Sequence, residues 1–299
     1  RSPMYHQILL FRLLDTINLV QNNTWQSKEL LEELKAVAQS MLSWLDMMTF
    51  RNGEIPYLKD STKGIAPTTQ ELLDYAKLLN VDWGKDISLS ESGYRKFSNE
   101  NMELIIDVGV ITPSYQPGHA HADELNFVLN LNEKPFIVDV GISTYEKNQR
   151  RQLERSTISH NCVSLGNTNS SEVWGGFRVA KRAQVRLLYD SISEIVAEHN
   201  GFAHKGLSVK RKFSVSQTSI YIEDILKGSS SLIEDTVSSL HFHPDVEFKI
   251  SGNDIFADNI RIKLEGFRSF TLENYEYAYG FNRLIEAKKL ERKPRKQHQ

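Results

Sequence analysis

The stretch that decides the fold class is Leu125-Asn-Phe-Val-Leu-Asn-Leu-Asn-Glu-Lys-Pro-Phe-Ile-Val-Asp-Val-Gly141. Leu125, Phe127, Leu129 and Leu131 alternate with Asn126, Val128 and Asn130, which are mostly polar. A period of two with one apolar side is the pattern of a half-buried strand. Asn132-Glu-Lys-Pro135 is a turn, Phe136–Val140 is a second strand, and Gly141 stops it. Working outward, period-two segments continue at 103–110, 183–189, 193–197, 207–215, 219–225, 236–242 and 246–250, separated by Gly, Asn and Ser clusters. Many short strands at this spacing predict antiparallel sheets in a sandwich or barrel. No strand–helix alternation accompanies them, which excludes doubly wound and (β/α)₈ architectures. No phosphate-binding glycine loop and no nucleophile elbow is present.

Residues 1–80 have a different periodicity. Ser2-Pro3 reads as an N-cap followed by a first-turn proline. Ile8, Leu9, Phe11, Leu13, Leu14, Ile17 and Val20 then recur at spacings of three and four, so many that the helix should be buried on more than one side. A second helix is expected from about Ser27 to Met48. A third begins at Thr68, where Thr68 and Glu71 form a capping box. The turn-rich Arg51–Tyr57 segment lies between them. The expectation is therefore an α+β chain in which a helical segment, 1–85, precedes a large antiparallel β-sandwich, 86–287. Lys288–Gln299, with six basic residues and one acid, reads as a frayed, solvated tail.

Composition narrows the function classes. The chain has 299 residues, with 36 Lys+Arg against 38 Asp+Glu and a formal net charge of −2. That balance argues against a dedicated nucleic-acid binder. The lone cysteine, Cys162, allows neither an internal disulfide nor a cysteine-based zinc cluster. No apolar run approaches the roughly 20 residues of a membrane span.

The densest chemistry is Gln116-Pro-Gly-His-Ala-His-Ala-Asp-Glu124. In extended chain His119 and His121 point to the same side. Asp139 sits in an otherwise apolar run, where a carboxylate is costly unless it is paired or ligates a cation. His160 lies in the polar loop Arg155-Ser-Thr-Ile-Ser-His-Asn161. His121, Asp139 and His160 together would supply two imidazoles and a carboxylate, a sound zinc set with a position left open. His119 would remain beside it for proton transfer or charge neutralisation. Other readings stand beside this one: a packed or surface histidine pair, a strand-end aspartate bonded to backbone, and a loop histidine. His241 and His243 form a second His-x-His without a partner acid and read as structural.

Tyr115–Asp123, Arg155–Asn161, Ser171-Glu-Val-Trp-Gly-Gly-Phe-Arg178 and the opening Arg1-Ser-Pro-Met-Tyr-His6 resemble consecutive blocks of the heparinase II/III-like proteins. The resemblance covers nearly the whole chain, in order. It implies an N-terminal α/α toroid and a C-terminal β-sandwich, with the active site in the cleft between them. It also implies polysaccharide lyase activity on a uronic-acid-containing glycan. On this match His121, Asp139 and His160 are the zinc ligands, His119 faces substrate and Tyr5 is the catalytic tyrosine. His6, Arg155, Trp174 and Arg178 are candidates for substrate contact. Each of the four also has a structural reading: helix surface for His6, core for Trp174, and ion pairs within the fold for the two arginines.

The chemistry implied is β-elimination. A neutralised uronate carboxylate acidifies the C5 proton, a base removes it, and an acid protonates the leaving O4. Tyr5 and His119 are the groups expected to share these roles. The partner expected is an acidic polysaccharide, with no nucleic acid and no membrane span; the oligomeric state is not readable. The resemblance places Arg1 at the last helices of a longer toroid, with export depending on a signal upstream. The competing reading is a non-catalytic glycan-binding or assembly module of an exopolysaccharide pathway.

Overall fold

The computed structural model describes residues 2–23, 25–84, 87–251 and 254–295. It opens with three helices, α1 (Pro3–Gln21), α2 (Lys28–Met48) and α3 (Thr69–Leu78). Their starts are those the caps dictate. The Ser2 side chain accepts from Tyr5 N, Ser27 from Leu30 N, and Thr68 and Glu71 close a reciprocal capping box. Leu10, Leu14 and Ile17 of α1, Leu42 and Leu45 of α2 and Leu72 and Ala76 of α3 share one core.

The β region follows. Strands β1 (Tyr94–Asn99), β2 (Met102–Asp107), β3 (Phe127–Leu131) and β4 (Lys134–Ile137) form an antiparallel sheet in chain order. After a short helix α4 (Gln149–Glu154) come β5 (Val163–Leu165) and the hairpin β6 (Glu172–Trp174) and β7 (Arg178–Ala180). A second sheet runs β8 (Val185–Asp190), β9 (Glu194–His199), β10 (Ser208–Val215) and β11 (Ile220–Lys227), again antiparallel neighbours. Helix α5 (Ser230–Glu234) leads to β12 (Thr236–His241), and β13 (Phe248–Ser251), β14 (Asp254–Ala257) and β15 (Ile260–Ile262) make a small sheet. Two long strands, β16 (Phe267–Gly280) and β17 (Arg283–Pro294), complete a sheet ordered β16-β17-β12-β5.

The chain is thus α+β, with antiparallel sheets packed around a shared apolar core. Leu104, Ile106, Phe127 and Leu129 of the first sheet join Ile195, Ala197 and Phe213 of the second, and Leu240 and Leu290 of the third. Phe127 and Phe213 meet edge to face at 5.4 Å.

Three expectations need correction. Residues 288–294 are not a solvated tail. They lie in β17, paired along its length with β16 and in part with β12, because Ala287 and Leu290 face the core. Residues 296–299 of that stretch lie outside the described residues. Strand β4 ends at Ile137, so Asp139 falls just beyond it. There the chain leaves its ladder. Val138 N bonds to His241 O and Ala278 N to Val140 O, and Gly141 turns at φ 76°, where an added Cβ would stand 3.1 Å from Ala278 O. Finally, β3 is not half-buried, since Val128 and Asn130 are covered as fully as Phe127 and Leu129.

What covers that second face is the helical end of the molecule. Met48, Phe50 and Leu58 pack on Ile105 and Val128. The segment Lys59-Asp60-Ser61-Thr62 then runs on fully buried, and this segment positions the site.

Candidate active site

Asp60 is the centre of the site. It lies in the connection between α2 and α3, and Ser2 holds the connection by donating to the Asp60 carbonyl at 2.8 Å. Its neighbour Lys59 adopts φ 57°, a left-handed conformation costly for a side-chain-bearing residue. The Lys59 ammonium is buried against Asp107 at 3.0 Å and against Asp123. This ion-paired lysine anchors the loop on the β domain.

The Asp60 carboxylate makes four hydrogen bonds to three side chains. Oδ1 meets His121 Nε2 at 2.8 Å and Arg151 Nη1 at 2.5 Å. Oδ2 meets His119 Nδ1 at 3.0 Å and Arg151 Nη2 at 2.7 Å. Burial alone would raise its pKa; the bonds from His119, His121 and Arg151 reverse this and hold it well below the usual carboxylate range. One ionised carboxylate therefore orients both histidines of the His-x-His segment. The backbone of that segment is fixed too: Ala122 N donates to Arg155 O and Arg155 Nε donates to Ala120 O.

His119 uses Nδ1 on Asp60, which leaves Nε2 as its outward nitrogen. Its side chain keeps 32% exposure in an otherwise closed site. The Tyr5 ring stacks on the His119 ring at 3.9 Å. Tyr5 Oη lies 3.2 Å from Tyr145 Oη. Burial pushes the Tyr145 phenol far up, so it holds its proton. Arg151 sits over the Tyr145 and Phe177 rings at 5.0 and 5.2 Å. The structure thus brings Tyr5 of α1 and His119 of the β domain into contact.

His121, Asp139 and His160 are also neighbours. Asp139 Oδ2 meets His160 Nδ1 at 2.8 Å and accepts from Asn126 Nδ2 at 2.5 Å, while Oδ1 accepts from Gly141 N. The His121 and His160 rings are 5.3 Å apart. Burial lowers the His121 pKa to about 3. For His160 burial is outweighed by the Asp139 charge, and its pKa is raised. Among the described residues no three such side chains converge as a ready metal cage. The donor chemistry nonetheless fits zinc. His121 Nδ1, His160 Nε2 and Asp123 Oδ2 are buried without a hydrogen-bond partner, an arrangement expensive to maintain in a dry interior. Each imidazole spends its other nitrogen on a carboxylate, as zinc-ligating histidines do.

The other candidates divide. His6 bonds through Nε2 to Met41 O at 2.8 Å and packs on Trp44, with burial lowering its pKa to about 4. Its ring serves helix packing, not a substrate. Arg155 is wholly buried, its guanidinium spent on the carbonyls of Ala120, Trp174 and Arg178. It cannot grip a substrate carboxylate; it ties the His-x-His loop to the β6–β7 hairpin. Trp174 and Arg178 lie on that hairpin and are exposed, Trp174 at 40%, so the core reading of Trp174 does not hold. His241 is buried against Asn161 and Tyr275, which is a structural role.

Asp60, Arg151 and Tyr145 were not singled out in the sequence. Lys59–Thr62 has the composition of a solvated loop, and only the cost of burying it marks it as special. Tyr145 follows Gly141-Ile-Ser-Thr144 with no local signal.

The comparisons bear on the family and the fold. The family model described as heparinase II/III-like, C-terminal, matches residues 84–293. A search of curated proteins finds no match. Among solved structures, a heparinase III superposes with TM-score 0.77 at 17% identity, over 99% of this chain and 50% of the other. The heparan sulfate lyase HepC from Pedobacter heparinus gives 0.66 at 15% identity, over 100% and 50%. The chain spans about half the length of these solved relatives.

Proposed function

Because the chain belongs to the heparinase II/III-like family, we propose that it carries the β-domain half of a polysaccharide lyase site, acting on a uronic-acid-containing glycan by β-elimination. The helices α1–α3 would be the closing part of an α/α toroid, and the substrate would lie along the cleft where Tyr5 faces His119. The observation that carries this reading is the Tyr5–His119 stack, with Asp60 behind one ring and Tyr145 beside the other.

In the elimination, the Tyr5 phenolate takes the C5 proton of the uronate. The C5–H electron pair forms the C4=C5 double bond, the C4–O4 bond breaks, and O4 leaves with a proton returned by the Tyr5 phenol or by His119. Tyr145, which keeps its own proton, donates to the Tyr5 oxygen while that oxygen is charged. His119 presents Nε2 to the uronate carboxylate and stabilises the charge that develops there. Asp60, gripped by Arg151, fixes the His119 ring and keeps its Nδ1 side occupied. The resemblance assigns a zinc ion to His121, Asp139 and His160; the free donor atoms are His121 Nδ1, His160 Nε2 and Asp123 Oδ2, so Asp139 would join them only by giving up its bonds to His160 and Asn126, and the ion would supply fixed positive charge beside the loop that carries His119. Trp174 and Arg178, exposed on their hairpin, would contact an acidic chain. Action in the periplasm or outside the cell is part of the same proposal.

The test is incubation with heparan sulfate, alginate, hyaluronan and bacterial acidic exopolysaccharides while following the ultraviolet absorbance of an unsaturated uronate. His119→Ala should lower turnover at least a hundredfold. Equal turnover by that variant would remove the assignment. Glycan binding without unsaturated product would favour a non-catalytic module.

A further inference from the structure

A cavity of about 350 Å³ is lined by Tyr57 and Lys63, which flank the Asp60 loop in sequence, and by residues of β3 and β4. Neither Tyr5 nor His119 lines it. Its mouth is polar, set by the exposed Asn52, Lys63 and Asp245 with Glu54 bridging to Lys63 at 2.6 Å. Its walls are aromatic: Tyr57, Tyr277, Tyr279 and His243, the last ring meeting Tyr277 edge to face at 5.6 Å. Its floor is Phe50, Val128 and Ile137 with Asn130 among them.

Asn130 makes this more than a packing gap. It lies in β3, is almost completely buried, and its Nδ2 has no hydrogen-bond partner. An amide donor held dry at the bottom of an open pocket costs stability unless a ligand oxygen meets it. Aromatic walls with a polar rim and a buried amide suit a pyranose ring, whose C–H faces pack on tyrosine while its hydroxyl or carbonyl oxygens accept hydrogen bonds. Of the lining carboxylates, Glu54 pairs with Lys63 and Asp139 is turned to His160 and Asn126, which leaves the exposed Asp245 as the charge at the mouth and disfavours an acidic sugar.

From this lining we propose that the cavity binds an uncharged sugar residue through Asn130 and the surrounding tyrosines. The site does not depend on the elimination chemistry. It gives the molecule a hold on glycan chemistry that the cleft at Tyr5 and His119 does not select.

The test uses methyl N-acetylglucosaminide and methyl glucuronide as probes, with saturation-transfer NMR and titration calorimetry on the full chain. The neutral glycoside should bind and the glucuronide should bind at least tenfold more weakly. Asn130→Leu, which removes the stranded donor without changing volume, should melt no lower than wild type and lose at least tenfold in affinity. Tyr279→Ala, at the half-exposed wall, should lose affinity as well and serves if the first variant misfolds. Tyr5→Phe should bind the neutral probe as wild type does, which separates this site from the lyase reading. Absence of binding, preference for the glucuronide, or unchanged affinity in both pocket variants would overturn the proposal.

Discussion

Strands β2 and β3 are buried on both faces of their sheet, and the two faces are held by opposite means. Toward the sandwich, Leu104, Ile106, Phe127 and Leu129 meet Ile195, Ala197 and Phe213, and the contact is largely apolar, with the buried Arg211 guanidinium over Phe127 and Phe213 held by Asp224. Toward the helices a small apolar patch at Ile105 and Val128 gives way to charges: Lys59 on Asp107 and Asp123, and Asp60 on Arg151, His119 and His121. The apolar face gains from area and tolerates a methylene more or less. On the charged face each ion is acceptable only while its partners are present, so that face fixes position more than it adds stability.

That contrast can be broken by measurement. The largest effect expected is from Asp60→Ala, which strands Arg151 in the interior and should cost about 3–5 kcal/mol in denaturant unfolding. A cost under about 1 kcal/mol would show that the loop is not held by its charges. In the sandwich, Phe213→Ala should cost about 3–4 kcal/mol through cavity formation and leave the site's histidines unchanged by NMR. Next comes the metal. His121→Ala and His160→Ala should each weaken zinc binding, measured by competition with a chromogenic chelator, by at least tenfold. A buried pair away from the site sharpens the electrostatics. Asp224 receives two bonds from Arg211, and although burial would raise its pKa, the Arg211 charge lowers it. Its contribution is therefore present above the unfolded value of about 3.9 and is lost as pH falls below that, through the folded value. Asp224→Asn should remove that part of the acid slope, and an unchanged slope would contradict the pairing. The smallest effect expected is from Trp174→Ala, which should change stability by no more than about 0.5 kcal/mol while reducing glycan binding.

The same contrast explains what the sequence made legible. Helix starts at Ser2, Ser27 and Thr68 follow from side chains acting on the next few backbone amides, so local residues suffice to place them. Strands β9 and β10 follow from alternation on a sheet with a more solvated side. The end of β17 reads as a free tail because Lys288, Lys289, Arg292 and Lys293 crowd it, whereas Tyr275, Tyr277 and Tyr279 alternate along β16 as in a strand. His119, His121, Asp139 and His160 stood out as polar residues in costly places. Asp60, Arg151 and Tyr145 did not, since their meaning comes from partners 59 to 140 residues away along the chain. Arg155 was visible but misread: an arginine near a histidine loop suggests a ligand grip, whereas here its donors are consumed by three backbone carbonyls.

The most direct test of the central claim is the initial rate of unsaturated-uronate formation by Tyr5→Phe and Tyr145→Phe on the glycan that wild type cleaves fastest. Tyr5→Phe should fall to the uncatalysed background, because in the proposed elimination the Tyr5 oxygen takes the C5 proton. Tyr145→Phe should retain a reduced rate, because it only assists the Tyr5 oxygen. A Tyr5→Phe rate equal to that of wild type would contradict the account.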